Sequence, residues 1–396
     1  MTQPHPMMDA SRSNDPVDPD TPKTPSGLLD PSDAVPATRP GWTEPVPITF
    51  TGTGSEYFRI WIVNLLLMLV TAGIYYPWAK ARRLRYFHAN TRIGEHAFSF
   101  HGEGRSMVRG FIVMAVLLLA VSFSGELSPA VGLLATLLLV AAAPMLLRLS
   151  LQFRMTQTRW RGLRFSFDGT LREAWRAAAL MLLFGGAIMA NPLLKLWATG
   201  SPWPPLVMLS VGLDIAVLCL LPLLPLAHRK LLAYRQGHIR HAGERSSFSA
   251  PLLPFYAPIF KALVLSLVVG MLTLATSSPW LLVPLGLVTW LLSMAIWQAG
   301  IQNVVWSNTR LPQVELHSRL ASEQLALRYA ANAIGMVFTL GLYWPFAAIA
   351  TARLRLSAVS VSFGPDFEQA MAEPVRAVDD ARGDAAADLA GFDLGL

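Results

Sequence analysis

The chain has 396 residues, of which 53% are hydrophobic and only 14% charged, with a formal net charge of +7. Soluble globular proteins carry roughly 25% charged residues, and the apolar residues here fall in runs near the ~20 needed to cross hydrocarbon; an ordinary soluble fold is excluded. Lys and Arg cluster beside those runs, so the expected partner is the lipid bilayer, with anionic head groups, and not nucleic acid, for which no recognition motif is present.

Residues 1–46 are polar and rich in Pro, Asp, Ser and Thr, with no cleavable signal pattern. Such a segment buries too little apolar surface to offset its chain entropy, so a disordered tail is expected. Eight apolar segments follow, at about 57–79, 107–124, 130–153, 174–195, 204–226, 259–277, 279–299 and 326–350. They predict an all-α polytopic membrane bundle over residues 47–364, with six clear spans and two Gly/Pro-broken end segments. Residues 365–396 form an Ala-rich, acidic tail. The single cysteine, Cys219, excludes an intrachain disulfide and reads as an apolar packing residue.

The linkers alternate in character. Those at Ser124–Pro129, Ala198–Pro205 and Thr276–Pro279 are short and nearly uncharged, whereas 80–106, 148–176 and 228–261 are long and basic. Lys and Arg in short loops remain on the cytoplasmic side, which puts the long linkers there. These linkers also share a pattern. Phe98-Ser99-Phe100-His101-Gly102 and Phe165-Ser166-Phe167-Asp168-Gly169 alternate between turn formers, with fragments of the same kind at Ser247-Phe248-Ser249 and Asn308-Thr309-Arg310. Alternation of that kind predicts small cytoplasmic β-hairpins.

The two ends carry one signature. Asn64, Thr71, Gly73, Tyr75 and Pro77 recur with identical spacing as Asn332, Thr339, Gly341, Tyr343 and Pro345, inside an internal repeat of 57–90 and 325–358. Gly followed four residues later by Pro breaks a helix, and Tyr suits a lipid–water boundary. Asn64 and Asn332 lie about two turns deeper, where an amide must bond another helix or line a polar cavity. Two topologies compete. In one, both end segments cross the bilayer; the length of 57–79 and the basic residues from Lys80 onward favour it. In the other both are re-entrant, which the hairpin-like Phe50-x-Gly52 and Ser362-Phe363-Gly364 favour.

The run Phe58 to Asn64, then Thr71-Ala72-Gly73-Ile74-Tyr75-Tyr76-Pro77-Trp78-Ala79-Lys80, Arg85-Tyr86-Phe87 and Asn90-Thr91, resembles the YjgN-like family of bacterial inner-membrane proteins, over roughly residues 47–364. The resemblance implies an inner-membrane, polytopic helical protein and no assigned reaction.

Asp214 is centred in an apolar segment, where a charge is costly and marks either a coupling site or a bonded packing carboxyl. With Asn64 and Asn332 it forms the candidate intramembrane polar site. The basic cluster Lys80, Arg82, Arg83 and Arg85 marks a helix end at the membrane face. His238-x-x-His241 lacks Cys or carboxylate companions, so no metal and no cofactor is expected, and no catalytic signature is present. Two functions follow. One is a transporter or permease for a small solute, resting on Asp214 and the broken ends. The other is a non-transporting scaffold that binds anionic lipid or a partner protein through its basic face.

Overall fold

The computed structural model describes residues 39–199, 204–276 and 279–372. Most of the expected disordered tail and of the acidic tail therefore lies outside the described residues. From Pro40 onward the described chain falls in one compact unit. It opens with strand β1 (Val46–Phe50), helices α1 (Gly54–Val70) and α2 (Tyr76–Ala89), strands β2 (Thr91–Ile93) and β3 (His96–Phe100), and helices α3 (Gly104–Leu127) and α4 (Pro129–Thr156). Next come β4 (Thr158–Trp160), β5 (Leu163–Phe167), α5 (Leu171–Thr199), α6 (Pro204–Leu220) and α7 (Leu224–Gln236), the last two joined by a 3-10 turn at Leu221–Leu223. The chain continues through β6 (Ile239–His241), β7 (Glu244–Arg245), β8 (Ser247–Phe248), α8 (Leu253–Thr276) and α9 (Pro279–Ser307). It closes with β9 (Thr309–Leu311), β10 (Val314–Ser318), α10 (Ser322–Phe338), α11 (Trp344–Ser357), β11 (Val359–Phe363) and α12 (Phe367–Ala372).

Six helical stretches among the described residues are long and apolar enough to cross a membrane: Gly104–Leu127, Pro129–Thr156, Leu171–Ala198, Pro205–Gln236, Leu253–Ala275 and Trp280–Ser307. They coincide with the six clear spans read from the sequence. Their outward faces are rich in exposed Leu, Val and Ile, as a lipid-facing surface requires.

The chain is mostly helical, and its β structure goes beyond the separate small hairpins expected. The predicted hairpins form, but they join into one eleven-stranded sheet in the order β7-β6-β5-β4-β3-β2-β1-β11-β10-β9-β8. Its two edge strands are separated by Ser246 alone, so Arg245 and Ser247 lie at most about 7.6 Å apart at Cα. Trp160 of β4 stacks on Phe363 of β11 with centroids 6.0 Å apart. Four strand steps in a flat sheet would separate them by roughly 19 Å. The sheet therefore curls into a ring. Its apolar interior holds Ile48, Ile93, Trp160, Val359 and Val361, and every polar-edge problem of an open sheet is reduced to the seam at Ser246. There Ser246 Oγ accepts from the Ile239 amide at 3.1 Å and donates to the Gln236 carbonyl.

The ring is built from five like units, each a helix, a hairpin and a helix. Four are contiguous: α2 to α3, α4 to α5, α7 to α8 and α9 to α10. The fifth is assembled from the two chain ends, where β11 pairs antiparallel with β1 through Val46 opposite Val361. In each unit a polar side chain of the incoming helix donates to a carbonyl just ahead of the outgoing helix. Arg85 Nη2 reaches Gly102 (3.4 Å), Arg148 Nε Gly169 (2.8 Å), Arg229 Nε Ala250 (2.8 Å), Asn303 Nδ2 Leu320 (3.0 Å) and Arg353 Nη2 Gly52 (2.9 Å). These bonds anchor all five hairpins at one end of the helix bundle. Gly52, Gly102 and Gly169 follow their Phe by two residues because the phenyl ring folds back over them; an added Cβ would sit 2.8, 2.6 and 2.6 Å from the ring.

Each end segment folds back as a helical hairpin and does not run on as the single helix that its length favoured. Helix α1 leaves the ring after β1, and α2 returns to it before β2, and those two strands pair with Phe50 opposite Thr91. The bases of the two arms are tied together: Thr51 N donates to Asn90 O at 2.9 Å and Thr53 N to Tyr86 Oη at 2.9 Å. Helices α10 and α11 repeat the path between β10 and β11, which pair along their length. Length misled because 17 residues of α1 reach about 25 Å, yet the chain turns at their tip and comes back. Residues 43–45, which the sequence places in the polar tail, are held to the ring by Thr43 N donating to Phe363 O at 2.9 Å.

Candidate functional site

The shared signature explains the turn at each hairpin tip. Thr71 Oγ1 donates to Leu67 O at 2.7 Å and accepts from Tyr75 N at 3.1 Å, so one hydroxyl ends the first helix and starts the second. Thr339 does the same with Gly335 O (2.8 Å) and Tyr343 N (2.9 Å). Gly73 and Gly341 take φ of 88° and 90°, in the left-handed region that favours glycine. Their amides close back on Met68 O and Met336 O, each at 2.8 Å, the long bond of a Schellman cap. Pro77 and Pro345 stand in the first turn of the next helix, where no backbone donor is needed. Around the tips, Leu69, Val70, Ile74, Phe338 and Leu340 are exposed. An apolar tip belongs in hydrocarbon, not in water. Tyr75 stacks on Trp78 at 5.8 Å, with the Arg82 guanidinium over its ring at 5.7 Å, and Tyr343 stacks on Phe346 at 5.7 Å.

The proposed polar trio is not brought together. Asn64 is 5% exposed and accepts from Arg82 Nη1 at 3.4 Å, inside the first hairpin. Asn332 is 4% exposed and donates to Thr351 Oγ1 at 3.0 Å and Ala347 O at 3.4 Å, inside the second. Asp214 lies elsewhere, on α6, where it faces α5. Lys195 Nζ is 2.9 Å from its Oδ2, and Asn191 Nδ2 donates to its Oδ1. The two charged side chains are 52% and 50% exposed on the helix surface. Asn191 is buried and its Oδ1 has no partner among the described residues. The sequence marks Asp214 as a costly intramembrane carboxyl but does not identify its partner Lys195, which closes the apolar run 174–195. The available signal was topology: Asn191 and Asp214 stand at similar distances either side of a short linker, and antiparallel helices bring such positions together.

The basic cluster divides by role. Arg82 serves Asn64, and Arg85 braces the ring through Gly102. Lys80 and Arg83 instead line a cavity of about 430 Å³ between α1 and α2, together with Asn64, Arg154 of α4 and Trp344 of α11. Its walls are apolar and aromatic: Tyr57, Trp61, Met68 and Phe87. Residues 57, 61, 64 and 68 fall on one face of α1, and 76, 80, 83 and 87 on one face of α2. The pair His238 and His241 is split. His238 Nε2 lies 3.3 Å from Glu173 Oε2, while His241 stacks on Phe165 at 4.2 Å within the ring.

Comparisons with known proteins place the chain. The model of the family described as "Bacterial protein of unknown function (DUF898)" matches residues 45–389. Inner membrane protein YjgN of Salmonella typhimurium (strain LT2) is 31% identical over 129 residues, 32% of this chain and 33% of that protein. Inner membrane protein YjgN of Escherichia coli (strain K12) is 34% identical over 128 residues, 32% of each. The chain thus matches about a third of the length of these relatives. No solved structure matches. With six apolar helices and this family match over most of its length, the chain is a multi-pass inner-membrane protein and belongs to the bacterial DUF898 family of unknown function.

Proposed function

We propose that the protein is a non-transporting membrane scaffold that holds anionic lipid at the face carrying the β ring. The observation that carries this reading is the separation of the intramembrane polar groups. Asn64, Asn332 and Asp214 each bond locally, at three different places, whereas a permease needs such groups to converge on one path. Positive charge instead gathers where the helices meet the ring. By the positive-inside rule that face is cytoplasmic, and the small hairpins and both described chain ends lie with it. Thermal unfolding of the purified full chain in nonionic detergent tests the reading. Titration with phosphatidylglycerol raises the midpoint, because a ligand that binds only the native state stabilises it by mass action; phosphatidylcholine leaves it unchanged. Equal shifts from both lipids refute the scaffold.

The Lys195–Asp214–Asn191 cluster favours a second reading, a solute permease with a charge pair in its path. In that case Asp214→Asn abolishes a pH-dependent flux across proteoliposomes. A variant that leaves every such flux unaltered ends the permease reading.

A further inference from the structure

The two end hairpins share one backbone design, and they differ where chemistry would be needed. With the signatures aligned, Asn64 matches Asn332, Thr71 matches Thr339 and Pro77 matches Pro345. The same alignment puts Ala348 opposite Lys80, Ala350 opposite Arg82 and Thr351 opposite Arg83. The second hairpin therefore folds with the same caps, the same left-handed turn and the same buried Asn, but without these three bases. There Thr351 Oγ1 accepts from Asn332 Nδ2 within the hairpin. Lys80 and Arg83 are thus not required by the turn and caps that the two hairpins share, whereas Arg82 bonds Asn64 as Thr351 bonds Asn332.

What the first hairpin has in their place is the cavity of about 430 Å³, within the ~300–1,000 Å³ range of small-molecule sites. Its lining mixes positive charge with apolar and aromatic surface. Lys80, Arg83 and Arg154 supply the charge, and Asn64 adds a buried amide. Trp61, Met68 and Trp344 supply apolar wall. The Lys80 ammonium lies 5.9 Å from the Tyr76 ring centroid and the Arg83 guanidinium 5.8 Å from that of Phe87, so aromatic faces hold the cations against the cavity wall. Such a site suits a ligand that joins a compact anion to a hydrocarbon chain.

We propose that this cavity binds the phosphate head group of one membrane phospholipid, with Lys80, Arg83 and Arg154 around the phosphate and the upper acyl chain against Trp61, Met68 and Trp344. The proposal rests on the lipid-scaffold reading and gives it a single site. Only the first hairpin carries it; the second is its internal blank.

Native mass spectrometry of the delipidated full chain tests it, with phosphatidylglycerol, phosphatidylcholine and water-soluble glycerol phosphate as probes. The wild type retains one phosphatidylglycerol in preference to phosphatidylcholine, and glycerol phosphate does not compete. The double variant Lys80→Ala, Arg83→Thr installs the residues that the second hairpin already uses, so its fold has a precedent within the same chain. It weakens phosphatidylglycerol binding at least about tenfold, equivalent to ~1.4 kcal/mol, with an unchanged lipid-free melting midpoint. Arg154→Gln, on a different helix, weakens it in the same direction. Retention of the single lipid by both variants overturns the site while leaving the scaffold reading intact. Effective competition by glycerol phosphate overturns the lipid as ligand in favour of a soluble phosphate. A wild type that binds neither lipid preferentially overturns site and scaffold together.

Discussion

Single residues set the hairpin tips, and their energetics are open to direct test. Ala72 and Leu340 precede the tip glycines with φ of 48° and 51°. The left-handed region costs a non-glycine residue roughly 1–2 kcal/mol, more than glycine loses in the unfolded chain, about 0.5–1 kcal/mol. Ala72→Gly therefore raises the melting midpoint of the purified protein; a lower midpoint would show that the Ala72 methyl has a packing role. His241 tests the ring interior. It is buried, neither ring nitrogen has a partner among the described residues, and burial pushes its pKa down to about 4. The unfolded chain takes up that proton near pH 6.5, so between about 6.5 and 4 it binds more protons than the native one. Stability is complete above pH 6.5 and declines as pH falls toward 4. Melting curves across that range lose this component of their pH slope in His241→Phe, and an identical slope in both proteins would place the imidazole in water.

At the scale of elements, α12 closes the ring. Phe367 is buried against Trp160 and Phe363, with centroids 6.1 and 4.4 Å away, while Met371 packs beside the same core. An eleven-stranded ring is wider than the eight-stranded barrels that side chains alone fill, so a helix end completes the interior. Glu368 anchors the helix from outside through two bonds to Arg161, at 2.8 and 3.0 Å, and Arg161 holds its carboxyl below the usual carboxylate range. Burial and exposed charge make different predictions. Phe367→Ala empties part of the core and costs about 3–5 kcal/mol. Glu368→Gln breaks an exposed pair and leaves the melting midpoint nearly unchanged. Comparable losses in the two variants would mean that the ion pair, not the aromatic packing, seats the helix. Among elements, the predicted hairpins, the Phe-x-Gly turns and the broken ends were all readable, because each follows from local chemistry within about ten residues. The pairing of Lys195 with Asp214 was not, because its two halves lie on separate helices whose facing register depends on how α5 and α6 pack.

For the whole molecule, the folded-back end hairpins make the described termini neighbours. The fifth hairpin has no covalent turn, and β11 and β1 meet through the ring ladder. Single cysteines at Glu44 and Gln369, each in a Cys219→Ser background, therefore label from the same side of oriented membrane vesicles. That side is the one carrying the basic linkers; labelling of both from the opposite side would restore the crossing topology.

The sequence by itself determined the membrane class, the six spans, the hairpin positions and the matched ends. All of these are written in apolar run length, period-two alternation and the spacing of Thr, Gly and Pro, which act over one or two turns of backbone. Only the tertiary structure decided that the hairpins join into a ring, that the ends turn back and that Lys80 and Arg83 face a cavity while Arg82 and Arg85 do not. The reason is physical: strand pairing, return paths and cavities depend on contacts between residues far apart in the chain, and the polarity of a residue does not say which partner it will meet. The apolar runs show where the chain prefers hydrocarbon, and packing determines how many times it crosses.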